Sequence, residues 1–227
     1  MQCKITKVIL DPKQRKGHIK NLLRIDGLKN IKENPNGCYC ALPLTGIPEN
    51  QREKIEKKHE IIKQCIKDAG LQIFDPKDAP GNPWHGLRDI RPEQLYDTDI
   101  IQLVTPRFFE FTNVAATTGG GIELQKAITY NNITVVVVKK GVFTSRMSTG
   151  ARRIILIEYN DLEKEREDIK NVFLRLKQYE PCIGECSVHG NTLLGFKDDK
   201  VVCLKGLIEE KFPGLVYDFD IYLKNER

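Results

Sequence analysis

The stretch TTGGGIELQKAITYNNITVVVV, Thr117 to Val138, sets three consecutive glycines ahead of a single glutamate, Glu123, and closes on the β-branched run Ile133 to Val138. The glycines permit close backbone approach to a ligand. The segment after them predicts a helix whose first turn offers unpaired N–H groups and the positive end of its dipole. That field favours the ionised form of a carboxylate in the first turn. A charged, partly desolvated carboxylate beside a cradle for sugar or phosphate has the makings of a nucleophile. The same residues also admit a plainer account, because a first-turn glutamate complements the dipole and glycine triplets are common in loops. The run Ile133 to Val138 predicts a strand buried on both faces, since a strand exposed on one face alternates polar and apolar residues.

Working outward, CYCALPL (Cys38 to Leu44) predicts a first buried strand, followed by a helix start at Pro48-Glu49. That helix places Ile55, Ile62, Ile66 and Ala69 on one side and stops at Gly70. LQIFDP (Leu71 to Pro76) predicts the second strand, and KDAPGNPWHGLRD after it a loop with the one tryptophan, Trp84. A short helix over RPEQLYDT precedes a third strand over DIIQLVTP, Asp99 to Pro106, and RRIILIEY, Arg152 to Tyr159, forms the fifth. Apolar strands separated by helices define an α/β class with a five-stranded parallel sheet of flavodoxin-like type and helices on both faces. A charged helix over Asp161 to Tyr179 is followed by a hairpin around Asp198-Asp199 and a last strand over GLVYDFDIYL. The expected organisation is an N-terminal extension (1–36), an α/β domain (37–180) and a β-rich C-terminal appendage packed on it (181–227).

At 227 residues the chain is long enough to bury a full core without staples. Lys plus Arg exceeds Asp plus Glu by 36 − 31 = 5, with both signs interspersed, which favours an anionic small ligand over nucleic acid. Seven cysteines form no obvious disulfide framework, and the first residues are too polar for a secretory signal, so a cytoplasmic location is expected. The longest aliphatic run falls far short of the roughly 20 residues that span a bilayer, so no membrane association is expected. PCIGECSVHG offers Cys182, Cys186 and His189, but its spacing is not a standard zinc pattern, and neither metal nor cofactor is expected from it. There is no nucleophile-elbow serine and no Walker-type loop.

The order CYCALPLTG, helix, LQIFDP, loop, DTDIIQLVTP and TTGGGIELQKA resembles the nucleoside 2-deoxyribosyltransferase family and its relatives, the 2'-deoxynucleoside 5'-phosphate N-hydrolases, over about residues 37 to 140. Of the family form G-x-G-x-E-x-G-x-A, the chain keeps Gly119, Gly121, Glu123 and Ala127 and departs at Gln125. The resemblance implies cleavage of an N-glycosidic bond in a (deoxy)nucleoside or nucleoside 5'-monophosphate. Glu123 would be the nucleophile, with water or a second base as acceptor. It implies Asp89 as general acid, although Asp89 serves equally well as a helix N-cap, and Arg88 as a phosphate ligand or a solvated charge. Asp97 and Asp99 look like turn and cap residues. Thr117 falls where transferases carry aspartate and the phosphohydrolase branch serine, which tilts towards a 5'-monophosphate. Tyr39, Pro43, Leu44 and Thr45 match the region lining the sugar and base, and Tyr39 suits the core equally. Trp84 and His85 offer stacking or hydrogen bonding to a base. Relatives often complete the site from a neighbouring subunit, so a homo-oligomer is expected by resemblance. Two alternatives stand beside this: a lysine-decarboxylase-like nucleotide phosphoribohydrolase, and a non-catalytic nucleotide-sensing or interaction module.

Overall fold

Alternation within the apolar runs sends side chains to two opposite faces of one sheet, and both faces are covered. The computed structural model describes residues 3–25, 27–28, 31–78, 91–115, 117–142 and 151–216. From the amino terminus the chain runs through β1 (Ile5–Leu10), α1 (Pro12–Ile25), β2 (Asn34–Ala41), α2 (Glu49–Asp68) and β3 (Gln72–Phe74). Next come α3 (Pro92–Val104), β4 (Pro106–Thr112), α4 (Thr118–Thr129), β5 (Ile133–Lys139) and β6 (Ile154–Tyr159). α5 (Arg166–Leu176), β7 (Glu180–Cys186), β8 (Gly190–Lys197), β9 (Lys200–Cys203) and α6 (Leu204–Lys211) complete it.

β3, β2, β4, β5 and β6 lie side by side in that order, all parallel. This is the doubly wound, flavodoxin-like order, in which the direction of winding reverses between the first strand and the third, here β2 and β4. One face carries Tyr39, Ala41, Phe109, Phe111, Val136 and Val138 under α1, α3 and α4. The other carries Cys38, Cys40, Phe108, Val135 and Val137 under α2, α5 and α6. A fully buried Ile, Leu or Phe contributes about 1.5–3 kcal/mol, so these two layers supply most of the drive to fold. α2 buries Ile55, Ile62 and Ile66 as its periodicity predicts, and Gly70 ends it at φ 74°, a left-handed conformation that suits glycine.

The third strand is not where the sequence placed it. Asp99 to Val104 belongs to α3, which opens on Pro92 and buries Ile100, Leu103 and Val104 at helical spacing. DIIQLV satisfies both a helical and a strand pattern, and tertiary packing decides for the helix. The strand that follows is PRFFEFT, whose apolar residues are interrupted by Arg107 and Glu110. Its junction with α3 is stitched by Asn132, whose side-chain amide donates to the carbonyls of Leu103 (3.1 Å) and Pro106 (2.8 Å).

The N-terminal segment and the tail meet in a second, antiparallel sheet of order β1-β7-β8-β9. β1 pairs with β7 from Ile5 opposite Cys186 to Leu10 opposite Ile183. Gly184 makes that approach possible, since a Cβ there would lie 2.1 Å from the Lys7 carbonyl oxygen. The β8–β9 hairpin turns at Asp198 and Asp199, both at positive φ, as a two-residue turn of this hand requires. Of the expected last strand, Gly214 and Leu215 form a turn instead, closed by the Leu215 N–H on the Phe212 carbonyl; Val216 bridges to Ile157, and the residues beyond it lie outside the described residues. No helix among the described residues is long and apolar enough to cross a membrane.

Candidate active site

The winding reverses between β2 and β4, the place where sheets of this order bind ligands beyond the carboxyl ends of their strands, and the loops leaving the two strands touch there. Leu44, in the 3-10 turn Leu44–Gly46 after β2, packs with Leu42, Ile47 and Ile55 against Val114 and Ala115 from the loop after β4. Pro43 is buried in this wall and Thr45 is exposed above it. Pro43, Leu44 and Thr45 thus follow the carboxyl end of β2, on the side of the sheet where the loop after β4 also lies.

α4 begins immediately beyond that loop. Thr117 is its N-cap, and its hydroxyl accepts the Gly120 N–H at 3.1 Å, satisfying one of the donors that a helix start leaves unpaired. The glycines do not precede the helix; all three form its first turn. Gly120 is the one that close packing requires, because a Cβ there would stand 2.9 Å from the Phe111 ring and 3.0 Å from the Thr117 hydroxyl. Gly119 and Gly121 are exposed, with open space at their Cβ positions.

One turn further on, Glu123 points inward. Its Oε1 accepts a hydrogen bond of 3.0 Å from the phenol of Tyr39, across 84 residues of sequence. The Tyr39 ring is fully buried, stacked on Phe109 at 5.7 Å between centroids and tilted against Phe74 at 5.4 Å. Tyr39 is thus both core and site: the core fixes its ring and thereby fixes the carboxylate. Burial, and then the nearby Glu123 and Asp99 charges, hold the phenol well above its ordinary range, so it stays a donor.

Asp99 completes the arrangement from α3. Burial alone pushes its carboxyl up to about 6, and its Oδ1 has no hydrogen-bond partner among the described residues. Burial likewise raises Glu123 to about 7, opposed by the Tyr39 hydrogen bond and reinforced by repulsion from Asp99. Two carboxyls that disfavour each other's ionisation near neutrality are the arrangement expected where one must act as base or nucleophile and the other as acid. Sequence reasoning passed over Asp99 because it appeared to lead a strand. The signal was present, since Leu95, Asp99 and Leu103 fall at i, i+4 and i+8 on one face of the helix that begins at Pro92. Asp97 is exposed. Asp89, Arg88, Trp84 and His85 lie outside the described residues.

The fold and the site together define an α/β protein of flavodoxin-like order with a half-buried, tyrosine-held glutamate on the helix that follows the strand at its switch point. No family model and no curated protein matches the chain. Among solved structures it is similar to a CMP N-glycosidase, BcmB, of Clostridium botulinum, at 13% identity and a TM-score of 0.44, over 60% of this chain and 98% of that one. It is also similar to a 2-deoxyribosyltransferase of Bacillus psychrosaccharolyticus, at 16% identity and a TM-score of 0.42, over 57% of this chain and 90% of that one.

Proposed function

We propose that this protein cleaves the N-glycosidic bond of a (deoxy)nucleoside or nucleoside 5'-monophosphate, with Glu123 as the nucleophile. The observation that carries the reading is the half-buried Glu123 carboxylate, held at 3.0 Å by Tyr39 and within electrostatic reach of Asp99, whose Oδ1 has no hydrogen-bond partner among the described residues. Ionised Glu123 attacks the anomeric carbon as the bond to the base breaks, and protonated Asp99 gives its proton to the departing ring nitrogen. Water or a second base then displaces the glycosyl ester, with Asp99 now acting as base. The hydroxyl of Thr117 and the positive end of α4 favour an anionic group on the substrate, which suits a 5'-phosphate.

The test is to incubate the protein with ribo- and deoxynucleosides and their 5'-monophosphates, with and without a second free base, and follow base release chromatographically. Release identifies the substrate, and appearance of a new nucleoside distinguishes transfer from hydrolysis. Tight binding across the panel without any released base would reject catalysis and leave a nucleotide-binding module.

The reactive form has Glu123 ionised and Asp99 protonated; because Glu123, raised to about 7, holds its proton more tightly than Asp99 at about 6, this is the minor arrangement of the pair's single proton, and the Tyr39 hydrogen bond enlarges it by lowering the Glu123 pKa. Tyr39→Phe should therefore move the alkaline limb of the kcat/KM profile, set near pH 7 by Glu123, to higher pH. The maximum should fall roughly tenfold, as expected for losing a hydrogen bond to a charged group. A profile unchanged in position would show that Tyr39 does not set the charge state of the site.

A further inference from the structure

In the second sheet, far from Glu123 in the sequence, four side chains converge with no role in glycosidic chemistry. Cys3 precedes β1, Cys186 ends β7, His189 lies in the turn to β8, and Cys203 ends β9 and caps α6. The His189 Nδ1 lies 3.5 Å from Cys3 Sγ, 3.5 Å from Cys186 Sγ and 3.2 Å from Cys203 Sγ, and the Sγ atoms of Cys186 and Cys203 are 3.6 Å apart. All four donor atoms lie within 4.8 Å of one another. A tetrahedral zinc ion, with Zn–S of about 2.3 Å and Zn–N of about 2.0–2.1 Å, needs S···S separations of about 3.8 Å and S···N separations of about 3.5 Å. The cluster has the dimensions of an ion's coordination shell.

Three further features fit a metal better than four packed side chains. The other ring nitrogen of His189 lies 2.9 Å from Glu209 Oε2 and 3.2 Å from Oε1, the carboxylate contact that fixes the proton on Nε2 and turns Nδ1 outward as a ligand. Backbone N–H groups three residues on are aimed at two of the sulfurs, from His189 to Cys186 at 3.0 Å and from Gly206 to Cys203 at 3.5 Å. Such donors stabilise thiolates. Position 206 also admits only glycine, because a Cβ there would stand 2.4 Å from Cys3 Sγ.

We propose that Cys3, Cys186, His189 and Cys203 bind a zinc ion that ties the segment before β1 to the far ends of β7 and β9. Four protein ligands leave no open position, so the ion is structural. Three sulfurs and one imidazole in tetrahedral array select a soft or borderline metal over magnesium or calcium. On binding, the three thiols release their protons to solvent and the imidazole loses none. The resulting charge of −1 lies near Lys205, whose charge is felt at His189. The sequence brought Cys182, Cys186 and His189 together; the structure keeps the last two, replaces Cys182 with Cys3 and Cys203, and leaves Cys182 as a buried thiol of the same sheet.

The test is to purify the full chain from zinc-supplemented cells, pass it through metal-free buffer, and measure metal by mass spectrometry. About one zinc per chain is expected, retained in Cys182→Ser and lost from Cys3→Ser and Cys203→Ser. To avoid reliance on variants that misfold, the wild type is also titrated with an organomercurial, and zinc should be released in step with thiol modification. Cobalt substitution should give thiolate-to-cobalt charge transfer and the visible bands of a tetrahedral site. Metal-free wild type that takes up neither zinc nor cobalt, zinc loss equal in Cys182→Ser, or a Cys186–Cys203 disulfide in the protein as purified would each overturn the proposal.

Discussion

Glu123→Gln is expected to reduce kcat/KM for base release by about 10³-fold or more, the usual cost of deleting a covalent nucleophile. The amide keeps the carbonyl oxygen that accepts from Tyr39 at 3.0 Å, so the ring stack and α4 stay in place. It carries no charge to meet an oxocarbenium-like centre and forms no glycosyl ester. Affinity for the substrate nucleotide should change by only a few-fold, because Glu123 acts on the reacting carbon and the phosphate is expected at Thr117. A variant that retains a tenth or more of wild-type turnover would remove Glu123 from the mechanism. A glycosyl adduct on Glu123, trapped with a slow substrate and found by peptide mass spectrometry, would establish the bond that the mechanism requires.

The second large effect is on stability, on the opposite face of the same sheet. Lys63 on α2 donates to Asp75 at 2.6 Å and to Glu60 at 2.7 Å, and Asp75 also lies 3.4 Å from His59. His59 reaches the Thr112 hydroxyl at 2.8 Å, which in turn donates to Glu110 at 2.8 Å. Burial pushes Glu110 up to about 8, against the opposing Thr112 bond, so at neutral pH it adds no second buried negative charge. Burial alone would raise Asp75, yet His59 and Lys63 hold it well below the usual carboxylate range. Burial alone would lower Lys63, yet Asp75 and Glu60 hold it above its ordinary value. Lys63→Met leaves Asp75 with much of its charge uncompensated and should cost about 3–5 kcal/mol. In a chain of this size that lowers Tm by roughly 10 °C.

The pH dependence has a definite sign. Asp75 has a depressed folded pKa, so its contribution is complete above its unfolded value of 3.8 and is lost as pH falls below it. Lys63 has a raised folded pKa, so its contribution is complete below 10.5 and is lost as pH rises beyond. The difference between wild type and Lys63→Met in urea midpoint should therefore be level from about pH 5 to 9 and shrink in acid. Pairing Lys63→Met with Asp75→Leu should recover part of the loss, since both charges then leave together. A single variant as stable as the wild type would mean that solvent reaches Asp75 and screens it.

Much of this architecture was legible from spacing alone. The unbroken Ile133 to Val138 run could only be an interior strand, and the placement of Ile55, Ile62 and Ile66 before Gly70 could only be a helix facing a sheet. β4 was misplaced because its buried Glu110 reads as a surface residue until His59, Thr112 and Asp75 are known to surround it. Asp99 was passed over because it appeared to lead a strand, and a half-buried carboxyl with one oxygen unpaired among the described residues is a costly arrangement that sequence patterns do not anticipate. Glu123 was found from its local motif, whereas its partner Tyr39 could be weighed only as core or site. Of the cysteine cluster the sequence offered only Cys186 and His189, because Cys3 stands 186 residues from His189 and meets it only through the pairing of β1 with β7.

That pairing also orders events during synthesis. β1 is made before the parallel sheet, but the edge it joins is β7, at Glu180–Cys186, which appears only after every strand of the parallel sheet has been made. The parallel sheet can therefore assemble while β1 is still without a partner, and β1 docks after strands translated later than itself. Until then its backbone presents an open edge to any other nascent chain, and a copy of β7 from a neighbour would fit it as well as its own.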